Sequence, residues 1–520
     1  MTIQNLINNF ASNCTDRTFL IAPESGEHLS FSQLRERVVQ VSAQLDAMGC
    51  RAGEHVAMLM DNGQWTASLL LALMASGRVA VPLNAIAGDS QLEYVLEHCD
   101  ANILFASPQH LERARALKSR VERPVSVVPT CPDRGPQWPT KAEAADATLP
   151  AVEPDDSALL MYTSGTTGKP KGVLLSHRNV IAGGMNTVEA HALSKADRGL
   201  CVLPLYHINA EIVTLIAPLI SGGSVVMPHR FSTGSFWELL REHNCTWFSV
   251  VPTIIAYLLE RGDSRETNVK GNPAYSQVRF GRSASSALPA SSHKAFEQEF
   301  GIPLIETMGL TETAAQILSN PLPPFQARYG SPGIAYRNEV KVMAEGGQEA
   351  ARGEVGELLV RGDNVMREYY KNPEATTKTL NAEGWLHTGD LGYQDDEGFF
   401  FITGRLKELI IKGGENIAPR EIDDILLKHP AVLEAAAYAV EDEKYGQEIM
   451  ACVVFKSDQQ ASVEELAEFC NNELGKFKSP KIIHIVQWLP RGPSGKVQRL
   501  KIAGMLEELM EEQHVVTDHD

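Results

Sequence analysis

One glycine-rich segment carries residue types suited to gripping a polyphosphate. It follows the apolar residues 158–162, which are typical of a buried β-strand. Glycines let the backbone turn and expose its N–H groups, while hydroxyls and lysines add hydrogen-bond donors and positive charge. The segment is not a Walker A loop, because only two residues separate Gly165 from Gly168 and Pro170 follows Lys169. The candidate nucleotide-binding residues are Thr163, Ser164, Gly165, Thr166, Thr167, Gly168 and Lys169.

Two acidic residues further along the chain lie in turn-like sequences. Glu312 offers hard carboxylate oxygens of the kind that Mg²⁺ prefers, and Thr311 beside it can donate a hydrogen bond to a phosphate. Asp390 follows Thr388 and Gly389, where a lone aspartate is usually a turn former but can also accept hydrogen bonds from ribose hydroxyls. Together with the glycine-rich segment, these residue types suit the binding of phosphate, a divalent cation and ribose.

A set of motifs in one order resembles those of the acyl-adenylate-forming superfamily, which includes acyl-CoA synthetases, nonribosomal-peptide adenylation domains and luciferases. The phosphate loop is the first of them. The others are Leu-Pro-Leu-Tyr-His at 203–207, Thr-Met-Gly-Leu-Thr-Glu at 307–312, Gly-Trp-Leu-His-Thr-Gly-Asp at 384–390, Gly-Arg-Leu-Lys-Glu at 404–408 and Pro-Arg-Gly-Pro-Ser-Gly-Lys at 490–496. The resemblance therefore covers the chain from residue 163 to residue 496.

The resemblance implies an adenylation, in which a substrate carboxylate attacks the α-phosphate of ATP and pyrophosphate leaves. Such a reaction needs positioning and charge stabilisation rather than a protein nucleophile. The resemblance also implies a role for individual residues, with ATP, Mg²⁺, CoA and a carboxylic acid as the molecules bound. Glu312 is implied as the metal ligand and Lys407 as the hinge between two domains. His207 is implied between the acid and CoA sites; by itself, a histidine after the strand-like residues 200–206 is more often a core or capping residue. The implied catalytic residues are Thr311, Glu312, His207 and Lys496. The implied further ATP contacts are Ser285, Ser286, Met308, Gly309, Asp390 and Arg405. The implied lining of the pantetheine path is Gly413, Gly414 and Glu415.

Two positions depart from the superfamily pattern. Met308 stands where an aromatic residue usually precedes the glycine, so any adenine packing at this position comes from a thioether. Residues 282–287, a segment usually rich in glycine, read Arg-Ser-Ala-Ser-Ser-Ala. The sequence thus predicts a polar wall with a cation beside it.

The stretches 231–252 and 282–288 are most similar to oxalate–CoA ligases and related enzymes that use very small, doubly charged acids. On this basis Asn209, Arg282 and Ser283, with His207, are candidates for the acid pocket, whereas a fatty-acid pocket would need a long apolar wall. Sulfoacetate fits the same argument as oxalate. The alternative interpretation of Arg282 is an arginine at the surface end of a strand.

Three other functions share some of these motifs. A medium- or long-chain acyl-CoA synthetase has the same motifs but accepts hydrophobic chains. A free-standing adenylation enzyme loads a carrier protein instead of CoA. A non-catalytic relative is expected to lack the charged motif residues, but Lys169, Glu312, Asp390, Arg405 and Lys496 are all present.

The surrounding pattern predicts the elements that position these residues. Helical periodicity at 31–48 and 64–75 alternates with short apolar stretches at 56–60, 79–83 and 102–106. This alternation predicts an α/β fold with largely parallel sheets covered by helices. After Gly404 the pattern restarts as a small α+β module, with helices at 421–427 and 464–472 and strands at 432–440, 450–455 and 481–486. We therefore predict an adenylation domain at 1–404, with an exposed connector at 132–156, and a mobile domain at 405–520.

Composition excludes some classes of function. The net charge is −18, whereas nucleic-acid binding needs a positive footprint. No basic and apolar leader precedes the chain's first elements, and no apolar run reaches the length of a membrane span, so neither a secretory signal nor a membrane anchor is predicted. The 8 cysteines are widely spaced, which is typical of reduced thiols in a cytoplasmic protein.

Overall fold

The computed structural model describes residues 1–139, 142, 148–163, 169–261, 268–492 and 496–517. The chain divides into two compact units. Unit 1 comprises Met1–Ser286, Ala295–Val340 and Val360–His387, and unit 2 comprises Ala287–Lys294, Lys341–Leu359 and Thr388–Asp520. The domain boundary predicted after Gly404 stays a prediction.

Helices and strands alternate along the chain. The α-helices are α1 Ile3–Asn13, α2 Phe31–Ala47, α3 Gln64–Ala75, α4 Asp89–His98, α5 Leu111–Lys118, α6 His177–Ala190, α7 Ala217–Ser221, α8 Phe236–Glu242, α9 Pro252–Arg261, α10 Ala290–Phe300, α11 Pro373–Thr379, α12 Pro419–Leu426, α13 Val463–Lys478 and α14 Ile502–Thr517. The strands are β1 Thr18–Ala22, β2 Glu27–Ser30, β3 His55–Leu59, β4 Val79–Pro82, β5 Ile103–Ala106, β6 Ser126–Cys131, β7 Gly135–Pro136, β8 Ser157–Thr163, β9 Lys171–Ser176, β10 Arg198–Cys201, β11 Ser224–Val226, β12 Trp247–Val250, β13 Phe280–Ser283, β14 Leu304–Leu310, β15 Ala315–Ser319, β16 Ile334–Ala335, β17 Glu339–Met343, β18 Gly356–Arg361, β19 Glu368–Tyr369, β20 Leu386–Gln394, β21 Phe400–Arg405, β22 Ile410–Lys412, β23 Glu415–Ile417, β24 Val432–Asp442, β25 Gly446–Phe455 and β26 Ile482–Ile485.

Unit 1 contains two large sheets. Their strand orders are β16-β15-β14-β13-β12-β10-β11-β1-β2 and β19-β9-β8-β4-β3-β5-β6-β7. The central neighbours, such as β12 with β13 and β3 with β4, are parallel. The predicted α/β fold with largely parallel sheets is therefore confirmed.

Local sequence explains why several elements begin where they do. Ser30 caps α2 by accepting a hydrogen bond from the backbone N–H of Gln33, whose side chain bonds back to Ser30. Helix α3 is buried along its whole length, which agrees with its nearly continuous apolar sequence. Both helices lie where the sequence predicted them.

Two predicted segments differ from the structure. Within the strand-like residues 200–206, strand pairing stops at Cys201, and the chain continues as a loop toward His207. The proposed exposed connector begins inside a sheet, because Gly135 in β7 pairs with Cys131 in β6 and Asp133 is buried. Composition alone revealed neither the end of the strand at Cys201 nor the pairing of Gly135 with Cys131.

Unit 2 contains a mixed sheet with the order β23-β22-β25-β24, to which β26 adds beside β25. Helices α12 and α13 pack on the apolar core formed by residues such as Ile422, Leu466 and Ile449. This is the α+β module that the sequence predicted. A second sheet, β17-β18-β20-β21, lies mainly in the same unit and ends at Arg405.

None of the helices in the described part of the chain is both long enough and apolar enough to cross a membrane.

Candidate functional site

The phosphate-binding candidates lie in the hairpin formed by β8 and β9. Thr163 is paired with Lys171 at the mouth of this hairpin. The predicted contacts Ser164, Gly165, Thr166, Thr167 and Gly168 fall outside the described residues. Lys169 is exposed, and its Nζ lies 5.7 Å from the ring centroid of Tyr94. An exposed ammonium at the loop's end is well placed to meet an anionic ligand.

The motif at 307–312 spans the end of β14 and the turn that follows it. Gly309 must be glycine, because a Cβ atom at this position would lie 1.7 Å from the carbonyl oxygen of Ala315 on β15. Met308 is half-buried and pairs with Leu318 across the two strands. Thr311 and Glu312 then lie in a single 3₁₀ turn, Thr311–Thr313.

Tyr369 orients the carboxylate of Glu312. The tyrosine hydroxyl donates to Glu312 Oε1 at 2.8 Å, and the backbone N–H of Met366 donates to the Glu312 carbonyl at 2.7 Å. Lys171 Nζ lies 3.9 Å from the centroid of the Tyr369 ring. Burial and the neighbouring carboxylate raise the pKa of Tyr369, so its hydroxyl stays a proton donor. Tyr369 lies on β19, 57 residues away from Glu312 in the chain, and none of the sequence motifs includes it.

Glu312 fits the role of a magnesium ligand. Only Oε1 of its carboxylate accepts a hydrogen bond from the described residues, which leaves Oε2 available to a cation. The described residues contain no group of three or more side chains able to hold a metal ion. A cation at Glu312 would therefore take its remaining ligands from phosphate oxygens and water, as Mg²⁺ commonly does.

The loop that carries His207 is held by Asn62. The Asn62 side chain donates to the carbonyl of Leu203 and accepts from the N–H of Leu205, both at 2.9 Å. The His207 ring packs against Tyr206 with centroids 4.7 Å apart. Asn62 was not predicted from the sequence, although its position shortly after β3 was a usable signal, since ligands of parallel sheets lie beyond the carboxyl ends of strands.

Arg282 is buried, with only 2% of its surface exposed, and it lies on β13. Its Nη1 donates to Asn209 Oδ1 at 2.7 Å and to Ser249 Oγ at 3.0 Å. Asn209 begins the π-helical segment Asn209–Ile216, and Ser249 is the cross-strand partner of Arg282 on β12. The interpretation of Arg282 as a surface arginine is therefore wrong.

The charge of Arg282 is not compensated by any described carboxylate. Burial lowers the pKa of this guanidinium to about 9, so it remains a cation near neutral pH. Its Nε atom has no hydrogen-bond partner among the described residues. A buried cation of this kind is costly unless an anion pairs with it.

The serines that follow Arg282 in the predicted polar wall, residues 282–287, do not all lie on the side of Arg282 and Asn209. Ser283 follows Arg282 in the same strand, and successive side chains of a strand point to opposite faces, so the structure does not bring Ser283 to the Asn209 side. Ser285 does approach Asn209, with 3.4 Å between its Oγ and Asn209 Nδ2, and has a φ of 74°. Ser286 is exposed. The nucleotide role of both serines stays a prediction.

Within unit 2, the structure brings two predicted nucleotide ligands together. Asp390 on β20 is paired with Arg405 on β21, and Arg405 Nε donates to Asp390 Oδ1 at 2.8 Å. The backbone N–H of Asp390 donates to Thr388 Oγ1 at 3.0 Å, which fixes the turn before the carboxylate. A buried carboxylate beside a partly exposed arginine offers both an acceptor for hydroxyls and a donor for phosphate.

The residues predicted for the hinge and the pantetheine path come shortly after Arg405 in the chain. Lys407 is exposed in the 3₁₀ turn Leu406–Glu408. Gly413 and Gly414, with φ values of 59° and 87°, form the two-residue turn between β22 and β23. Such a turn requires positive φ at both positions, which explains the glycines without reference to a ligand. Glu415 is exposed at the start of β23.

Lys496 lies in one of two short arms of unit 2 that are joined by backbone hydrogen bonds. The N–H of Gly492 donates to the Lys496 carbonyl at 2.8 Å, and the N–H of Gln498 donates to the Pro490 carbonyl at 2.7 Å. Arg491 and Val497 form an isolated antiparallel bridge between the two arms. These two paired arms, residues 490–492 and 496–498, are together called the lysine hairpin.

Two family models match this chain. The model described as AMP-binding enzyme matches residues 7–370, and the model described as AMP-binding enzyme C-terminal domain matches residues 421–496. Together these matches cover most of the chain.

Curated relatives match over nearly their whole length. The sulfoacetate–CoA ligase of Cupriavidus necator is 49% identical over 503 residues, which cover 96% of this chain and 97% of the relative. The oxalate–CoA ligase of Arabidopsis thaliana is 34% identical over 515 residues, covering 96% and 98% of the two chains.

Solved structures agree with the fold. ATP-bound MatB from Rhodopseudomonas palustris superimposes with a TM-score of 0.88 at 28% identity, covering 98% of this chain and 100% of that one. The o-succinylbenzoate CoA synthetase MenE from Bacillus subtilis, in complex with its acyl-adenylate intermediate, gives a TM-score of 0.83 at 30% identity and covers 96% and 97% of the two chains.

Proposed function

The chain belongs to the AMP-binding enzyme family, and we propose that it joins a small, doubly anionic acid to coenzyme A at the expense of ATP. In the first half-reaction the substrate carboxylate attacks the α-phosphate of ATP, and pyrophosphate leaves. In the second, the CoA thiol attacks the carbonyl of the acyl-adenylate, and AMP leaves. Relatives named as sulfoacetate–CoA and oxalate–CoA ligases support this reaction class.

The observation that carries the choice of acid is the buried, uncompensated charge of Arg282. Asn209 and Ser249 both bind Nη1, and this leaves the edge formed by Nε and Nη2 for another partner. That edge presents two parallel N–H donors, a geometry that matches a carboxylate or sulfonate bidentately. An acid with one activated carboxylate and one further anionic group satisfies this arginine.

The remaining site residues are assigned roles in binding and charge stabilisation. We assign Thr311 and Lys496 to the α-phosphate, Asp390 and Arg405 to the ribose and phosphates, and Met308 with Gly309 to the adenine. Mg²⁺, when bound, neutralises phosphate charge, and Glu312, held by Tyr369, is the residue that would bind it. His207 would separate the acid from the path of the CoA thiol.

The second half-reaction would use the hinge and the glycine turn. We assign Lys407 as the pivot at which the C-terminal part of the chain after it changes its position between the two steps, and Gly413, Gly414 and Glu415 as the lining of the pantetheine path. These assignments rest on the motif order, since the resemblance and not a measured contact supplies them.

A pyrophosphate-release screen tests the reaction and the acid together. The panel contains sulfoacetate, oxalate and malonate as double anions, acetate and propionate as single anions, and octanoate as a hydrophobic chain, each with and without CoA. We expect pyrophosphate release and acyl-CoA formation with a double anion, and little turnover with the single anions. Preference for octanoate would instead identify a fatty acyl-CoA synthetase. Adenylate formation with no CoA product, together with loading of a carrier protein, would identify a free-standing adenylation enzyme.

A further inference from the structure

Arg499 joins several segments of unit 2. Its side chain is only 13% exposed. Nη2 donates to Asp423 Oδ2 at 2.6 Å and Nη1 to Asp423 Oδ1 at 3.3 Å, and Nη1 also donates to the carbonyl of Ala437. Asp423 lies on α12 and Ala437 on β24. This bidentate ion pair therefore fixes Arg499 to the core of the unit.

One further contact of Arg499 reaches the predicted hinge. Arg499 Nε lies 3.4 Å from Glu408 Oε2. Glu408 is the last residue of the turn Leu406–Glu408 and follows Lys407 directly. The side chain of Glu408 is 27% exposed, so this contact is only partly screened by water.

Arg499 also lies at the exit of the lysine hairpin. The hairpin ends at Gln498, whose N–H donates to the Pro490 carbonyl, and Arg499 begins the 3₁₀ turn that follows. Only two residues separate Arg499 from Lys496. The guanidinium thus links the segment just after Lys407 to the segment just after Lys496.

We propose that Arg499 is a positioning residue for adenylation, which fixes Glu408, the residue after Lys407, to the hairpin that carries Lys496. The inference rests on the proposed function, in which Lys407 is the pivot and Lys496 acts at the α-phosphate. A rotation at Lys407 moves all the residues after it. The Glu408–Arg499 contact keeps Glu408, the first of these residues, at a fixed distance from the segment that carries Lys496. Without the contact, the turn can yield locally and Lys496 is delivered less accurately.

The test removes the charge of Glu408 and measures the two half-reactions separately in the full chain. Glu408→Gln keeps the shape of the side chain but weakens its contact with Arg499. We expect pyrophosphate release from ATP and acid to fall by about tenfold, the effect of one lost charge-assisted hydrogen bond. Thioester formation from synthetic acyl-adenylate and CoA should stay within about twofold of the wild-type rate, because Lys496 is not used in that step.

Two further variants make the result specific. Glu421 lies on the same helix as Asp423, and its Oε1 accepts a hydrogen bond from Lys478 Nζ at 2.9 Å in an exposed ion pair. Glu421→Gln weakens this pair and should change neither half-reaction. Arg499→Lys keeps the charge but loses the planar fork and should repeat the selective loss of adenylation, with thermal melting confirming that the variant is folded.

The possible outcomes separate this inference from the function on which it rests. Equal losses in both half-reactions, or wild-type rates in both, would overturn the positioning role of Arg499. If the wild-type protein released no pyrophosphate with any acid of the panel, the proposed function itself would fail and this inference with it.

Discussion

A guanidinium removed from water needs an anionic partner, and this requirement makes Arg282 the most informative residue of the site. Asn209 and Ser249 are neutral acceptors that orient the group without compensating its charge. Arg78, another buried arginine, differs because it is paired with Asp46. The contrast supports our proposal that Arg282 binds an anionic ligand.

Arg282→Leu should damage selectivity more than chemistry. Removing the arginine leaves the second anionic group of the substrate unpaired, at a cost of about 2–5 kcal/mol. The kcat/KM for sulfoacetate or oxalate should therefore fall by about two to three orders of magnitude, while the poor turnover of propionate holds or improves. Steady-state pyrophosphate release with each acid measures this.

Arg279→Leu is the matched control for that experiment. Arg279 lies just before the same strand and is paired with Asp197 at 2.5 Å, so its loss should affect all acids alike through stability. An equal loss of all acids in the Arg282 variant would place Arg282 in a structural role, and a wild-type preference for an unbranched fatty acid would contradict the assignment altogether.

Tyr369→Phe should raise the Mg²⁺ concentration needed for adenylation. The hydroxyl orients Glu312 from 2.8 Å, and losing such support for a metal ligand typically weakens metal binding by about 10–100-fold. Titration of Mg²⁺ at saturating ATP, followed by both pyrophosphate release and nucleotide-binding calorimetry, measures the change. Tyr370→Phe, which removes a hydroxyl bonded to Asp100 instead, should leave the Mg²⁺ dependence unchanged. The same Mg²⁺ dependence in both variants would show that Tyr369 does not orient the ligand.

At the scale of elements, short turns place the charged residues of unit 2. The two-residue turn at Gly413 and Gly414, the 3₁₀ turn containing Lys407 and the lysine hairpin are each defined by a few backbone contacts. Such turns can change conformation at a single residue while the strands and helices around them stay intact. This property suits the hinge role that we propose for Lys407.

Lys407→Pro should separate the two half-reactions. Proline fixes φ at residue 407 and so opposes a rotation through that residue. We expect pyrophosphate release to persist while acyl-CoA fails to accumulate, as measured by a pyrophosphate assay and chromatography of the thioester. Lys407→Ala, which removes the side chain but keeps φ free, should retain both steps. If the proline variant lost both steps equally, residue 407 would not be the pivot.

Lys496→Ala should produce the opposite pattern. The ammonium is expected to neutralise charge only while the α-phosphate is attacked, and losing one such contact typically costs about 10²–10³ in rate. Adenylate formation should fall accordingly, whereas synthetic acyl-adenylate with CoA should still give thioester. Failure of that rescue would contradict the assignment of Lys496 to the first step.

At the scale of the whole molecule, buried and half-buried histidines are expected to make unit 1 sensitive to mild acid. Burial lowers the pKa of His55, His98, His177, His191 and His243 below the ordinary value. For His177 the pKa falls from 6.5 to about 4. The unfolded chain therefore takes up protons that the folded chain refuses, and stability decreases as the pH falls below 6.5.

Thermal melting at several pH values measures this acid sensitivity. His177 alone should remove about 3 kcal/mol from the free energy of unfolding as the pH falls toward 4, since each pKa unit corresponds to about 1.4 kcal/mol. His177→Gln should show a smaller decrease between pH 7 and pH 5 than the wild type. His28→Gln, which changes an exposed histidine, should show the full wild-type decrease. Identical decreases in all three proteins would rule out a contribution from His177.

The sequence by itself determined much of the fold and the class of chemistry. The class of chemistry and the residues assigned to it came from the resemblance of six motifs, in their order, to those of a known superfamily. Helix α3 and the strand before it follow instead from apolar periodicity within a dozen residues. These elements depend on neighbours close in the chain, because side-chain periodicity is set by the local backbone.

The tertiary structure alone decided which of those residues meet, and in what environment. The burial of Arg282, its contact with Ser249 on the next strand and the separation of Ser283 to the other face depend on strand register. The support of Glu312 by Tyr369 and of Glu408 by Arg499 joins positions 57 and 91 residues apart. Burial and cross-strand register result from packing distant segments together, and the local patterns of a single sequence do not specify them.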